Sequence, residues 1–191
     1  DRGDSWRKVS PDLTRQIDRN KLEVMGRVWG VDTIAKNDST SMYGAAIMIS
    51  ESELQEGLIY VGTDDGVINI TEDGGESWSQ TTRFAGVPDM TYVDDVQASM
   101  HDVNVVYAVM ENHKRGDNKP YVLKSTNKGK SWKSIASNLP TNGFAHTIAE
   151  DHIDPNLLFL GTEQGVFVTQ NGGKSWSQMR NNLPTIAVRD I

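Results

Sequence analysis

The sequence predicts an all-β protein assembled from repeated four-stranded units, and three observations support this prediction. One octapeptide recurs along the chain, the segments that flank it recur in the same register, and no long stretch shows the apolar period of an amphipathic helix. The composition agrees, because 17 glycines and short β-branched runs favour strands joined by tight turns. With 37% hydrophobic and 24% charged residues, the chain can bury a globular core.

The octapeptide ends in Ser-Trp in every copy. Complete copies occupy residues 71–78, 125–132 and 169–176, and the first six residues of the chain match the last six positions of a fourth copy. The three later tryptophans lie 54 and 44 residues apart, near the roughly 40–50 residues of a propeller blade. The first interval is 72 residues, which predicts an insertion.

Similarity outside the octapeptide fixes the register of the repeats. Residues 58–67 (LIYVGTDDGV) match residues 157–166 (LLFLGTEQGV) without a gap, and residues 105–109 occupy the same place in the middle repeat. Each repeat is interpreted as four strands, A to D, which predicts a β-propeller. The predicted A strands lie near 46–50, 95–99 and 147–151, and the B strands near 58–62, 105–110 and 157–161.

These boundaries predict one propeller segment over residues 1–191, with about three full blades and two partial blades. The chain begins with the end of a preceding blade, followed by the inserted loop, and it finishes with the first strand of the next blade. The predicted parts are residues 1–13 (preceding blade), 14–43 (insertion), 44–88, 89–140 and 141–184 (full blades), and 185–191 (next blade).

The octapeptide is interpreted as a turn between strands C and D that holds each blade together. An Asp or Asn side chain bonds turn amides, a glycine adopts a conformation that other residues disfavour, and the tryptophan packs between sheets. Two complete copies carry Asn, which cannot act as a general acid or base, so the predicted role is structural. The residues given this role are Asp1, Gly3, Trp6, Asp73, Gly75, Trp78, Asn127, Gly129, Trp132, Asn171, Gly173 and Trp176.

The octapeptide resembles the Asp-box (BNR) repeat, Ser/Thr-x-Asp-x-Gly-x-Thr/Ser-Trp, of sialidases, xyloglucan-active glycoside hydrolases, a photosystem assembly factor and sortilin-like propellers. With residues 62–67, 161–166 and 181–184, the chain is most similar to large bacterial sortilin-like proteins often labelled glycosyl hydrolases. The resemblance implies an internal segment of a larger ring in an exported, extracellular or periplasmic, bacterial protein. It transfers no catalytic set, because no motif here matches the sialidase arginines or their Tyr/Glu pair.

Candidate ligand-binding residues lie on the face opposite the octapeptide turns, where the B–C and D–A loops of a meander meet. In the insertion, Trp29, Arg27 and Tyr43 combine aromatic surface with hydrogen-bonding groups, as a glycan or peptide ligand requires. Trp29 could instead tether the loop to a blade. The B–C loop from 111 to 119 belongs to the same predicted face.

Three aspartates are candidate catalytic groups. Asp64 and Asp65 form an adjacent carboxylate pair, in which one pKa can be raised, but Thr-Asp-Asp-Gly is also an ordinary tight turn. Asp94 and His146 fall at equivalent positions near the start of strand A, where side chains can face the central channel. There they would either bind a ligand or line water, and His146 is kept as a ligand-binding candidate.

Composition limits the partners. The absence of cysteine and of metal-ligand histidine spacing predicts no metal, and no motif predicts a cofactor. A net charge of −7 opposes nucleic acid, and no apolar run is long enough for a membrane span. The expected partners are a glycan or peptide ligand, together with the remaining blades of a larger propeller or other copies joined through open strand edges.

Three functions remain open. We take as the working hypothesis a ligand-binding module whose insertion makes the main contact. The alternative is part of a glycoside hydrolase, with acid and base drawn from Asp64, Asp65 or Asp94 and a carboxylate outside this chain. A scaffold without a small ligand is the third.

Overall fold

The computed structural model describes residues 3–30, 32–34 and 44–191, so Asp1 and Tyr43 lie outside the described residues. Within these ranges the chain forms fourteen strands and two single-turn 3-10 helices, and no α-helix. Twelve strands build three antiparallel sheets of four, and the other two form a hairpin in the insertion. The predicted all-β fold of four-stranded propeller blades is confirmed.

Each sheet is a meander, with its strands side by side in sequence order. The insertion hairpin consists of β1 (Glu23–Val24) and β2 (Arg27–Val28). The first blade contains β3 (Ala46–Glu51), β4 (Ile59–Thr63), β5 (Ile68–Thr71) and β6 (Ser79–Thr81). The second contains β7 (Tyr92–Ala98), β8 (Val106–Asn112), β9 (Asp117–Ser125) and β10 (Lys133–Ser134). The third contains β11 (Ala145–Glu150), β12 (Leu158–Thr162), β13 (Gly165–Thr169) and β14 (Ser177–Gln178).

The three blades share one hydrogen-bond register. Each A strand carries an irregularity in its pairing at the same place, between Ala46 and Met48 in the first blade, and equivalently in the other two. The amides of Ser52, Ser99 and Asp151 each donate to the carbonyl six residues further on, at 2.9, 3.0 and 3.0 Å. The pairing therefore defines equivalent positions in the three blades.

Buried apolar side chains fill the two interfaces between neighbouring blades. Tyr60 and Val93 belong to the cluster between the first and second blades, and Tyr107 and Ile148 to the cluster between the second and third. Glycine at position 62 permits this approach, because a Cβ there would lie 2.5 Å from Cγ1 of Val93. The blades are thus packed face to face as consecutive parts of one arc.

The octapeptides form the C–D turns, as predicted. The hydroxyl of Thr71 donates to Oδ1 of Asp73 at 2.7 Å, and the Ser77 amide donates to the same oxygen at 2.9 Å. Asn127 and Asn171 accept the equivalent serine amides at 2.9 and 3.0 Å. An amide oxygen accepts these bonds as a carboxylate does, which explains why either residue type builds the turn.

The C–D turns lie beside the A–B turns at one end of each blade. The amide of Gly74 donates to the carbonyl of Gly57 at 3.0 Å, and equivalent bonds of 2.8 and 2.9 Å join the two turns in the second and third blades. At the other end, the amide of Asp64 donates to the carbonyl of Ala45 at 3.1 Å, beside the start of strand A. The two loop faces therefore separate as the sequence predicts.

The octapeptide tryptophans contact the preceding blade. The indole N–H of Trp176 donates to the carbonyl of Ile135, just after the outermost strand of the second blade, at 2.7 Å. That of Trp78 donates to the carbonyl of Val9 at 3.1 Å. Trp6 is 92% exposed, because the described chain contains no blade on which it could pack.

Neither flanking segment forms a regular strand in the described ranges, although each contacts the adjoining blade. The side-chain amide of Asn69 donates to the carbonyl of Leu13 at 2.9 Å. At the other end, the Val188 amide donates to the carbonyl of Thr162 at 3.0 Å, and the Val188 carbonyl lies where a Cβ on Gly161 would be. Residues 186–191 therefore lie where the first strand of a following blade would pack.

Two connections differ from the sequence-based expectation. The predicted 111–119 loop is mostly strand, because β8 reaches Asn112, β9 begins at Asp117, and a 3-10 turn joins them. Asp117 stabilises this extension by accepting the Tyr121 hydroxyl and the Asn112 side-chain amide. In the insertion, Met25 and Gly26 have φ values of 56° and 74°, the left-handed pair that closes a tight two-residue hairpin.

Candidate functional site

A cleft of about 750 Å³ runs along the inner strands β3, β7 and β11. Its fourth side is formed by residues 189–191. One end of each inner strand lies beside the B–C turns, which is the face predicted to bind ligands. The cleft is therefore the concave side of the three-blade arc.

A row of equivalent side chains crosses the rim of this cleft. Ile47, Asp94 and His146 occupy the same position in the three A strands, and all three line the cleft. Arg189 continues the row in the terminal segment, because the residue before it, Val188, lies against Gly161 as Val93 lies against Gly62. The row thus runs from apolar to acidic to two basic residues.

His146 joins two carboxylates. Its Nδ1 lies 2.8 Å from Oδ2 of Asp94 in the second blade, and its Nε2 lies 2.8 Å from Oε1 of Glu163 in its own B–C turn. Two such bonds need two protons shared among the imidazole and the two carboxyl groups. Arg189 extends the row, with its guanidinium 3.8 Å from Oε1 of Glu163.

Burial sets the acidity of the cleft carboxyls. It raises the pKa of Asp94 above its ordinary value, although the hydrogen bond to His146 opposes the shift. Burial also raises the pKa of Asp95, whose carboxylate accepts the Ile148 amide and the Thr147 hydroxyl, both at 3.0 Å. Both carboxyl groups line the cleft and bond to the third blade, Asp94 through His146 and Asp95 through Thr147 and Ile148.

The aromatic rings of the cleft are already covered. His113 stacks on Phe144 with the ring centroids 4.7 Å apart, and His146 meets the Phe144 ring edge-on at 5.0 Å. The ammonium group of Lys114 lies 5.0 Å above the ring of Tyr92. Nδ1 of His113 also contacts Oε2 of the buried Glu111. These contacts hold the side chains of the rim in fixed positions.

Asp64 and Asp65 hold the B–C turn of the first blade against neighbouring segments of the chain. Asp64 Oδ1 accepts the amides of Gly44 and Ala45 at 2.9 and 2.8 Å. Asp65 is fully buried, and it accepts the Thr63 hydroxyl at 2.6 Å and the Arg15 amide at 2.7 Å. These contacts favour the tight-turn interpretation over a catalytic pair, and neither residue lines the cleft described above.

Trp29 and Arg27 pack on one another within the insertion. The guanidinium of Arg27 lies 4.6 Å above the Trp29 ring, and the indole N–H donates to the carbonyl of Val24 at 3.0 Å. Leu22, Val24, Trp29 and Thr33 line a separate hollow of about 250 Å³. Among the described residues, the cleft and this hollow share no side chain. Tyr43, the third candidate of the insertion, lies outside the described residues.

The sequence pairs Asp94 with His146 and places the turn of Glu163 and the 111–119 loop on the same face, but it singles out none of Glu163, Glu111, Phe144 and Arg189 as a site residue. Glu163 lies in the turn that aligns with the turn of Asp64. A structural role in the turn is enough to explain either residue in the sequence, so neither needs a ligand. An ungapped alignment of the Asn-Leu-Pro segments places Asp190 opposite His146, so it does not identify Arg189. Phe144 and Glu111 carry no motif.

Two further observations concern ligands and membranes. In residues 3–30, 32–34 and 44–191, no group of three or more His, Asp or Glu side chains is arranged to hold a metal ion. The same ranges contain no helix with the length and apolarity to cross a membrane.

Protein-family models and curated proteins gave no match to this chain. The solved structures that are similar to it include the following three. YCF48 bound to D1 peptide is 19% identical with a TM-score of 0.54, over 69% of this chain and 39% of that protein. An ancestral GH74 enzyme is 17% identical with a TM-score of 0.56, over 73% of this chain and 19% of that protein. The GH74 xyloglucanase from Xanthomonas campestris is 11% identical with a TM-score of 0.56, over 73% of this chain and 24% of that protein.

At these identities the likeness concerns the fold alone. All three similar proteins are β-propellers, and the chain spans about two fifths of the YCF48 structure and about a quarter or less of the two enzymes. The chain is therefore a β-propeller arc that is similar in fold both to a peptide-bound protein and to glycoside hydrolases.

Proposed function

We propose that this chain is a ligand-binding segment of a larger β-propeller protein of the Asp-box, sortilin-like class, and that its ligand is a peptide held in the inner-strand cleft. The observation that carries the proposal is the row in which His146 joins Asp94 to Glu163 at the cleft rim. Such fixed charges orient a ligand without rearranging when it binds. The octapeptide turns support the Asp-box class, and an exported location belongs to the same proposal.

The covered aromatic rings favour a peptide over a glycan. A sugar would need an open aromatic face on which to stack. Lys114 covers Tyr92, His113 covers Phe144, and Arg27 covers one face of Trp29. A peptide instead uses charged side chains and main-chain hydrogen bonds, which the cleft rim can match. The similarity in fold to a peptide-bound YCF48 supports the same choice.

The charge of the cleft favours a basic peptide. Its lining includes the carboxyl groups of Asp94, Asp95, Glu111 and Asp190, whereas Lys114 and Arg189 are its lysine and arginine side chains. The whole chain adds a net charge of −7. Complementary charge speeds association and selects partners, so lysine or arginine side chains are the expected contacts.

Glycoside hydrolysis is the second candidate. The raised pKa of Asp94 is a property that a general acid requires, and two of the proteins similar in fold are GH74 enzymes. However, the ring of His146 fills the space between Asp94 and Glu163 that a glycosidase leaves for the scissile bond and a water. Catalysis by this pair would require His146 to move away.

Calorimetric titration with three synthetic twelve-residue peptides, rich in Lys, rich in Glu or neutral, tests the proposal. The Lys-rich peptide should bind saturably, and Asp94→Asn should weaken it about tenfold, or about 1.4 kcal/mol. Glu53→Gln is the control, because it removes the same charge from an exposed A–B turn at the opposite end of the blade.

Xyloglucan oligosaccharides, incubated with the same variants, test the alternative. Release of reducing ends that Asp94→Asn abolishes and Glu53→Gln preserves would make the chain part of a hydrolase. Equal binding of all three peptides, or none, would contradict the peptide proposal.

A further inference from the structure

The first blade presents an uncovered face on the side away from the second blade. Val96 and Ile148 hold equivalent positions on the A strands of the second and third blades, and each is 2% exposed against the blade that precedes it. Ile49 holds the same position in the first blade and is 69% exposed. We name the surface of Ile47, Ile49 and Glu51 the bare face.

The interface between the second and third blades shows which hydrogen-bond donors a glutamate at the position of Glu51 accepts. Its equivalent in the third blade is Glu150, which is buried. Glu150 accepts the Ser99 hydroxyl at 2.8 and 3.0 Å, the Met100 amide at 2.8 Å and the Tyr107 hydroxyl at 2.9 Å, all from the preceding blade. Glu51 is exposed and accepts no hydrogen bond from the described residues.

The interface between the first and second blades contains the tyrosine donor without the glutamate acceptor. Tyr60 is equivalent to Tyr107, but the position facing it holds Ala98 instead of a glutamate. The Tyr60 hydroxyl is buried without a hydrogen-bond partner. A tyrosine on one blade and a glutamate on the next therefore form one hydrogen bond across the boundary. Among the described residues, Tyr60 has no glutamate opposite it, and Glu51 has no tyrosine opposite it, so both lack this bond.

Backbone amides of the inner strand also donate hydrogen bonds to the preceding blade. In the third blade, the Ile148 amide donates to Asp95 and the Glu150 amide to Gln97, both at 3.0 Å. The equivalent donors of the bare face are the amides of residues 49 and 51. A blade that covers this face should therefore carry side-chain acceptors on its own inner strand.

We propose that the bare face docks a further propeller blade that offers hydroxyl donors to Glu51, as Ser99 and Tyr107 do to Glu150, and inner-strand acceptors to the amides of residues 49 and 51. This inference rests on the proposed larger propeller. It specifies the chemistry of the neighbouring blade, which the repeat alone leaves open. The docked blade would also form a wall of the cleft beside Ile47.

A second copy of this chain is a poor occupant. Its third blade carries Asp151 and Phe159 where the second blade carries the serine and tyrosine donors. The amides of Asp154 and Ile153 donate to Asp151 and lower its pKa, so a carboxylate would face Glu51. The same surface of the third blade is already contacted by residues 186–191.

Hydrogen exchange on the 191-residue chain carrying an extra blade at its N-terminus tests the proposal. A copy of residues 89–126 or, as the matched control, of residues 141–170 is fused directly before Asp1, so that residues 1–13 complete the added blade with their octapeptide and outermost segment. The second-blade copy should slow exchange at the amides of residues 49 and 51 about tenfold, roughly 1.4 kcal/mol of added protection. The third-blade copy should leave exchange unchanged.

Two variants extend the comparison. Glu51→Ala should reduce the protection given by the second-blade copy. Within the third-blade copy, Asp151→Ser with Phe159→Tyr should produce protection. Equal protection by both unaltered copies, or by neither, would overturn the proposal. So would self-association of the unextended chain that Ile49→Asp abolishes, because it would assign the bare face to a second copy. No peptide is present, so the outcome is separate from ligand binding in the cleft.

Discussion

Tyr107 donates to Oε1 of Glu150 across the boundary between the second and third blades, with 2.9 Å between the two oxygens. The same boundary one blade earlier places Tyr60 opposite Ala98 and leaves its hydroxyl buried without a partner. The tyrosine hydroxyl therefore has a hydrogen-bond partner at one blade boundary and, among the described residues, none at the equivalent position of the other. This internal comparison separates the stability contributed by the hydrogen bond from that of the ring.

Removing each hydroxyl should have opposite consequences. Tyr107→Phe leaves Glu150 buried with one donor fewer and should lower the free energy of unfolding by about 1–3 kcal/mol. Tyr60→Phe removes a polar atom that has no partner and should leave that free energy unchanged or raise it. Urea denaturation followed by tryptophan fluorescence measures both. Equal losses in the two variants would mean that the Tyr107 contact contributes nothing beyond the ring.

The Asp73 turn should resist acid through its hydrogen bonds. The hydroxyl and amide of Ser77, together with the Thr71 hydroxyl, lower the Asp73 pKa from 3.8 to about 2. A carboxyl whose pKa is depressed in the folded state stabilises the fold above its unfolded pKa, and this contribution is lost as the pH falls through the folded value. The stabilising effect of Asp73 should therefore fade between about pH 4 and pH 2.

Thermal unfolding from pH 7 to pH 2 tests this point with two substitutions. Asp73→Asn should preserve the turn, as Asn127 and Asn171 do, and should remove part of the acid sensitivity. Asp73→Ala should lower the melting temperature throughout. An Asn variant as unstable at pH 7 as the Ala variant would show that the turn depends on the charge itself.

Asp65 should behave as a structural residue. Asp65→Ala removes the acceptor for the Arg15 amide and the Thr63 hydroxyl, with an expected loss of about 1.5–3 kcal/mol because the acceptor is a charged group. Losing its tie to Arg15 should also expose the following insertion to trypsin. Limited proteolysis timed against Glu53→Gln measures this effect. A stable, uncleaved Asp65→Ala chain would reopen the catalytic interpretation of this pair.

Asp94 should contribute to binding while it opposes stability at neutral pH. Burial raises its pKa in the folded state above the unfolded value near 3.8, so the folded state holds the proton more tightly, and stability falls as the pH rises from about 4 upward. Asp94→Asn removes this pH-dependent loss of stability and keeps an oxygen that can bond to His146. The variant should therefore gain stability relative to the parent as the pH rises to 7.

The two readouts of Asp94→Asn distinguish a functional residue from a structural one. Gained stability with weakened peptide binding is the pattern expected of a site residue. Lower stability at pH 7 than the parent, measured by urea denaturation, would show that the carboxylate is needed to join the blades.

The repeat explains why strand positions could be predicted. Strands β4 and β12 begin one residue after the predicted starts and extend one residue beyond the predicted ends, because the same ten-residue pattern specifies both. The insertion has no counterpart in the other repeats, so its β1–β2 hairpin could not be located in this way. The long β9 strand was missed because Asp117 and Asn118 suggest a turn, whereas Tyr121 and Asn112 hold Asp117 in the extended hairpin.

The candidate site could be predicted only in part. Equivalent positions place Asp94 and His146 side by side along the rim, and the repeat register was sufficient to find them. The second partner of His146 was not predictable in this way, since it depends on how Glu163 is oriented in its turn. The pairing of Trp29 with Arg27 depends on the hairpin itself.

Nuclear magnetic resonance mapping of the Lys-rich peptide on the isotope-labelled chain locates the bound ligand. We expect saturable chemical-shift changes to concentrate on the cleft rim, at Asp94, His146 and Glu163, while the signals of the octapeptide turns stay unchanged. Shifts confined to Trp29 and Arg27, or no saturable shift at all, would contradict a peptide-binding cleft.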